Sequence, residues 1–304
     1  MCERFCPPAR WAAPEPIRLT LVDGWRGPSI TGTARIAEDG ALFANVVSRD
    51  GGTSGYGLVD ERAWQVGAPS LGLVRFLKRG QLVECALGGP CRSLLRDGGT
   101  DLLYPLVDFS DGANDWVLGR GERGSFVVLA PDGGRAEWPT ILGGAERINA
   151  LGLAAGQAPF AGSAAYWLDG RALLVPDAGL GSWANALNDE GLMVGRVLRD
   201  GIGRGALFWD SDVVEISCGL GQASELWAVN NHRIAVGQCG TEPSARAVIW
   251  ARGSLVPLGD VVDGGQLADC RFVAATDINE ADQVAVVAEC SGVRTAVRLT
   301  FRLD

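Results

Sequence analysis

The sequence predicts an all-β protein, a seven-bladed β-propeller with four antiparallel strands per blade, and three observations lead there. First, the stretches RINALGLAAG, NALNDEGLMVG, AVNNHRIAVG and DINEADQVAVV share one pattern: apolar run, four-residue turn, apolar run. Second, each is followed by a further apolar strand and another turn, giving units of about 40 residues, the length of a four-stranded propeller blade. Third, Gly 43 against Pro 14 and Met 2 in 304 residues favours many tight turns over helices.

Aligned on the turn, seven copies emerge. The first turn position falls at Ala37, Leu77, Phe109, Asn149, Asn188, Asn230 and Asn279, and the fourth at Gly40, Gly80, Gly112, Gly152, Gly191, Arg233 and Asp282. Asn caps the start of a type I turn with its side chain, and Gly tolerates the exit geometry, so each unit opens as a β-hairpin. The third strands are YGLVDE, RSLLRD, SFVVLA, AAYWLD, GALFWD, RAVIWA and RTAVRL. Turns such as Asp97-Gly98, Asp132-Gly133, Asp169-Gly170 and Arg252-Gly253 lead most of them into a fourth strand. Trp167, Trp209 and Trp250 fall at one third-strand position of successive units, which assigns them to packing between blades. The last copy has no fourth strand, while residues 17–23 belong to no complete copy. They are expected to supply the outer strand of the final blade and close the ring, removing an open sheet edge. This makes residues 1–15 an N-terminal extension and 16–304 one propeller domain.

From about residue 145 to 300 the pattern Ile-Asn-x-x-Gly-x-x-x-Gly followed by Ala-x-x-Trp resembles the bacterial HAF repeat. The residues that carry it are Ile148-Asn149, Gly152, Asn188, Gly191, Gly195, Trp209, Asn230, Gly237, Trp250 and Ile278-Asn279. Before residue 140 the turn Asn is replaced in all three copies. The resemblance implies a propeller and an extracellular or periplasmic location, and brings no catalytic residue with it. The first 25 residues lack an apolar core of signal-peptide length, which for the sequence as it stands points to the cytoplasm instead.

Composition narrows the function classes. The formal charge of −9 and the absence of any Lys/Arg run (Lys78 is the single lysine) argue against nucleic acid and anionic lipid. No stretch is long and apolar enough for a membrane span, and a monomer is expected. His232 is the one histidine, so sites needing two His ligands cannot be built, and neither metal nor cofactor is expected. It lies in the Asn230-to-Arg233 turn, where a solvated role is expected. The Gly-rich DGGT, PDGGR and LGGA precede no helical pattern and read as hairpin turns rather than phosphate loops.

The eight cysteines suggest disulfides. Cys218 with Cys239 and Cys270 with Cys290 flank two consecutive hairpins at equivalent places, and Cys85 with Cys91 and Cys2 with Cys6 could form two more pairs. Free thiols remain the alternative.

The first strand of each blade lines the channel of a propeller, so equivalent positions form rings. Two residues before the turn the ring reads Arg35, Arg75, Val107, Arg147, Ala186, Ala228 and Asp277. One position earlier it reads Ala34, Val74, Leu106, Glu146, Asn185, Trp227 and Thr276, with Trp183 near by. Arginine forks bind carboxylate or phosphate, and an aromatic platform beside them suits a small ligand or glycan. The ligand-binding candidates are therefore Arg35, Arg75, Arg147, Glu146, Trp183, Trp227 and Asp277. The plain alternative is that Arg35 pairs with Asp277 and Arg147 with Glu146 or another neighbour, as a structural network. These features point to a non-enzymatic binding or scaffold propeller for a protein, peptide, glycan or small anionic ligand. A channel-mouth lyase, hydrolase or cyclase using Glu146, Asp277, Tyr104 or Arg147 is the alternative.

Overall fold

A computed structural model describes residues 19–30, 33–47, 53–59, 62–66, 73–76, 82–85, 91–94, 100–104, 106, 108–113, 116–121, 125–138, 144–158, 162–168, 171–210, 212–262 and 265–303. Among these residues there is no α-helix, only strands and three single-turn 3-10 segments at Pro176–Ala178, Leu258–Asp260 and Gly265–Leu267. The strands form seven four-stranded antiparallel sheets.

Strand β1 (Leu19–Ser29) stands apart from the sheet that follows it in sequence. The first sheet is β2 (Ala34–Ile36), β3 (Leu42–Val47), β4 (Thr53–Val59) and β5 (Arg62–Val66). The second is β6 (Leu73–Phe76), β7 (Leu82–Cys85), β8 (Cys91–Leu94) and β9 (Thr100–Tyr104). The third is β10 (Asp108–Ala113), β11 (Trp116–Arg120), β12 (Phe126–Leu129) and β13 (Arg135–Trp138). The fourth is β14 (Gly144–Ile148), β15 (Ala154–Ala158), β16 (Ser163–Leu168) and β17 (Arg171–Leu174). The fifth is β18 (Trp183–Leu187), β19 (Met193–Arg199), β20 (Ile202–Trp209) and β21 (Asp212–Glu215). The sixth is β22 (Ser224–Val229), β23 (Ala235–Cys239), β24 (Arg246–Ala251) and β25 (Ser254–Pro257). The seventh is β26 (Cys270–Ile278), β27 (Gln283–Cys290) and β28 (Val293–Leu303), with β1 as its fourth strand, antiparallel to β28.

An N-terminal outer strand of the last sheet is therefore present, and it runs to Ser29, six residues beyond the segment expected from sequence. Residues 1–18, with Cys2 and Cys6, lie outside the described residues.

The described sheets from the third to the seventh are apolar on both faces because each packs against its neighbours. In β15, Ala154 joins the cluster shared with the third sheet and Ala155 the one shared with the fifth. In β27, Val286 faces the sixth sheet and Val287 the first. Trp167 and Trp250, 1% and 4% exposed, each pack toward the preceding sheet, as interior aromatics should. Trp209 does not share their position. Phe208 pairs with Met193 as Trp167 pairs with Ala154 and Trp250 with Ala235, so Trp209 sits one residue on and faces the next sheet. It joins Trp250 in one cluster.

The turn register needs one correction. In the third sheet the hairpin closes between Ala113 and Trp116, four residues beyond the turn placed at Phe109 and Gly112. Gly112 is a strand residue there, paired with Val117. In the other described copies the turn is as expected: the amides of Gly40, Gly152, Gly191, Arg233 and Asp282 donate to the carbonyl three residues back. All five have positive φ, from 56° at Asp282 to 87° at Gly191, which is why Gly is favoured and costs nothing there.

The turn asparagines do more than cap. Asn149 Nδ2 donates to Asn188 O (3.0 Å), Asn188 Nδ2 to Asn230 O (3.1 Å), Asn230 Nδ2 to Asn279 O (3.1 Å) and Asn279 Nδ2 to Ala37 O (2.8 Å). Each Oδ1 accepts the amide of its own hairpin's fifth residue: Leu153, Leu192, Ile234 or Gln283. A second ladder runs beside the first, through Ala150 N to Asp189 Oδ1, Asp189 N to Asn231 Oδ1, Asn231 N to Glu280 Oε2 and Glu280 N to Glu38 Oε2. Tyr166, whose hydroxyl donates to Gly191 O, is held well above the ordinary tyrosine pKa by burial.

The disulfides Cys218–Cys239 and Cys270–Cys290 are present, the second between directly paired residues of β26 and β27. Cys91 is disulfide-bonded and stands opposite Cys85 in the β7–β8 ladder. Cross-links enclosing about 20 residues contribute about 3 kcal/mol each in the chain-entropy account.

Asn188→Ala leaves Leu192 N buried without a partner and leaves Asn230 O only the Arg233 amide, and should lower the free energy of unfolding by about 1–3 kcal/mol. Asn188→Asp keeps the acceptor and loses the donor, so it should also be destabilised. Urea denaturation of both variants checks this.

Candidate functional site

The inner strands β6, β10, β14, β18, β22 and β26 come together in sequence order, and β26 also lies against β2. Five carry a bulge before the hairpin, at Ser110, Glu146, Asn185, Trp227 and Thr276. The bulge forces backbones close together: a Cβ on Gly156, Gly195 or Gly237 would lie 1.8, 1.9 or 2.0 Å from a carbonyl oxygen of the inner strand. The second Gly of the repeated motif is required by that approach. The inner strands β2 and β6 have no bulge.

With this register the ring after the bulge is Arg35, Arg75, Asp111, Arg147, Ala186, Ala228 and Asp277. Val107 is not a member; Asp111 takes its place, and Ser110 replaces Leu106 in the bulge ring. Leu106 is instead a core residue, 1% exposed. Two aspartates thus accompany the three arginines.

The aspartates serve the joints between sheets. Asp111 Oδ2 accepts the amide of Ile148 (3.0 Å), and Asp277 Oδ2 accepts that of Ile36 (3.1 Å), the same bond in two places. Asp277 Oδ1 also accepts its neighbour's amide, Ile278 N. Arg35 lies 3.9 Å from Asp277, so the expected pair across the seam forms at the outer limit of ion-pair distance. Of the partners expected for Arg147, Glu146 is met at its backbone carbonyl, to which Nη1 donates (3.0 Å). Its Nε is buried without a hydrogen-bond partner. Burial, then the like charge of Arg35, lowers the Arg147 pKa, while Asp111, Glu146 and Asp277 oppose this. These groups come from the first, third, fourth and seventh sheets, so their fields meet in the space the inner strands enclose.

Further polar groups complete the lining. Asn185 Nδ2 donates to Glu225 Oε1 and Leu226 O (both 2.9 Å), and Thr276 Oγ1 donates to Ala34 O (2.6 Å). Trp227 occupies its bulge half-buried, with Nε1 lacking a partner. Trp183 is half-buried at the start of β18, opposite Arg196. Sequence reasoning missed Glu225, which is coupled to Arg196 (3.7 Å) and held above the ordinary glutamate pKa chiefly by burial, with Asn185 and Arg196 opposing. Its signal was its position, equivalent to Trp183 in the adjacent sheet. Arg75 is placed in β6 by its pairing with Val83, its side chain lying outside the described residues.

Two candidates for chemistry fall away. Tyr104 ends β9, the outermost strand of its sheet, far in register from the inner strands. His232 is exposed in its turn as expected, its Nδ1 2.8 Å from Asp282 Oδ1, a contact that raises its pKa. Among the described residues no group of three or more potential metal ligands gathers, and no helix is long and apolar enough to cross a membrane.

No family model matches the sequence, and comparison with curated proteins finds no match. Solved structures do match. The β-propeller domain of the Trilobed protease from Pyrococcus furiosus superposes with a TM-score of 0.61 at 9% identity, over 91% of this chain and 94% of that one. The fold is a β-propeller. Pyrococcus horikoshii acylaminoacyl peptidase (TM-score 0.60, 11% identity, 90% of this chain and 51% of that one) is also similar. So is a Mycobacterium tuberculosis puromycin-hydrolyzing peptidase (TM-score 0.53, 14% identity, 95% of this chain and 52% of that one). This propeller spans about half the length of those two peptidase chains. The expectation of a non-enzymatic binding or scaffold propeller is corrected by these matches, which are to parts of peptide-hydrolysing enzymes.

Glu225 supplies a pH test. A carboxyl whose folded pKa is raised binds its proton more tightly folded than unfolded, so its burial cost is present at neutral pH and relieved as pH falls through the folded value. Glu225→Gln keeps the acceptor for Asn185. Its melting temperature should exceed wild type near pH 7, and the gap should shrink as pH falls to about 4.5. Calorimetry across that range checks it.

Proposed function

We propose that the chain is a closed seven-bladed β-propeller working as the propeller unit of a peptide-hydrolysing enzyme. Seven four-stranded sheets support the blade count, and the pairing of β1 with β28 supports closure. The functional reading is carried by end-to-end correspondence with a protease's propeller domain, which covers 94% of that domain. In this reading the enclosed channel receives the peptide and a separate catalytic unit cleaves it. The HAF-like signature is then structural, its Asn serving the ladder between sheets and its second Gly the bulge.

Two measurements test these points. Material co-eluting with the chain from the cells that make it should hydrolyse acylated peptide nitroanilides, whereas the isolated chain should not. A co-eluting fraction without peptide-hydrolysing activity retires the assignment. For closure, removal of residues 1–29 should lower the melting temperature sharply, and an unchanged value retires the closed ring.

A further inference from the structure

We infer that the channel contains a binding site for a single carboxylate group, formed by the guanidinium of Arg147 with Arg35 across from it. A guanidinium carries five N–H donors in one plane. At Arg147 one Nη1 donor is used by Glu146 O, and the buried Nε–H is unused. Trp227 Nε1 is a second unused donor on the inner strands. Such donors call for an acceptor, because a buried polar group without one costs more than the bond returns.

The two ring aspartates are not free to answer. Both oxygens of Asp277 accept backbone amides, one across the joint to the first sheet, and Asp111 Oδ2 holds the equivalent joint to Ile148. Turning either carboxylate onto Arg147 would break a contact between sheets. The two arginines meanwhile repel each other from non-adjacent sheets, and this is the largest effect on Arg147 after burial. An anion between them relieves the repulsion and supplies the missing acceptor. Ala186 and Ala228 at the same level of the fifth and sixth sheets leave the opposite wall short. Charge sets the class of ligand: Asp111, Asp277 and Glu146 all act on Arg147, so a monoanion fits where a dianion would be repelled. A peptide's C-terminal carboxylate and a free small carboxylate share this chemistry.

The test is calorimetric titration of the full chain with N-acetyl-dialanine, its C-terminal amide, acetate and inorganic phosphate. The acid should bind at least tenfold more tightly than the amide, and phosphate more weakly than the acid. Tighter binding of the peptide acid than of acetate identifies a peptide terminus as the source, and equal binding a small carboxylate. Arg147→Gln should weaken the acid at least tenfold, and the more exposed Arg35→Gln should do so to a lesser degree, giving a second reading if Arg147→Gln misfolds. Acid and amide binding alike, phosphate binding more tightly, no acid binding, or unchanged affinity in both variants overturns the site. Carboxylate binding does not depend on the hydrolase assignment: an inactive co-eluting fraction with intact binding retires that assignment alone.

Discussion

The side-chain amides of Asn149, Asn188, Asn230 and Asn279 join one sheet to the next, and most other features of the inner ring are arranged around those joints. Among the described residues no strand pairs with a strand of the next sheet, and apolar contact alone would let neighbours slide or splay. Asn has a donor and an acceptor on one rigid group, so it can fix its own hairpin through Oδ1 and reach the following hairpin through Nδ2. Asp could do only the first. The last link, Asn279 to Ala37 O, shows the economy of the device: the receiving sheet needs only a carbonyl. Ala37 has no side-chain amide to pass the contact on, and the ladder traced from Asn149 ends there.

Aspartate adds a second kind of joint, standing in for the absent Asn in the third sheet and acting beside Asn279 in the seventh. Asp111 and Asp277, one position past the bulge, accept the amide of the following inner strand. In the fifth and sixth sheets that position is Ala186 and Ala228, and the joint rests instead on Asn185 and the asparagine ladder. Charge has therefore collected on one side of the channel as a by-product of how those sheets are fastened. The arginines answer those aspartates only in part: Arg35 stands at 3.9 Å from Asp277.

Much of this was legible in the sequence. The Asn-x-x-Gly turn marks its hairpin wherever it occurs, and the four-strand unit follows from the spacing. Reading failed where a local pattern imitated the marker. Asp111-Gly112 looks like a turn, yet Gly112 is buried strand, and the true turn at Ala113 carries neither Asn nor Gly at its ends. The bulge is likewise invisible to an alternation of period two, since it inserts one residue without changing composition. Its trace is the glycine opposite, which reads as a weak strand residue until the carbonyl 1.8 Å from its would-be Cβ is seen. The misplacement of Trp209 has the same origin: a shift of one residue preserves the motif and reverses the face.

The register correction also changes what the channel can do. Three arginines facing a ring with Asp277 as its single carboxylate would attract any anion, phosphate included, in proportion to its charge. Exchanging Val107 for Asp111 places an aspartate on the ring between the sheets that carry Arg75 and Arg147. The field is then mixed, and selectivity passes from charge to hydrogen-bond geometry. A fork of N–H donors held by burial and by the Glu146 carbonyl offers two parallel bonds to a planar acceptor. Nearby carboxylates penalise every additional negative charge that accompanies it. A site of that kind distinguishes a carboxylate from its amide by charge and from a phosphate dianion by repulsion, without any single residue being specific for either.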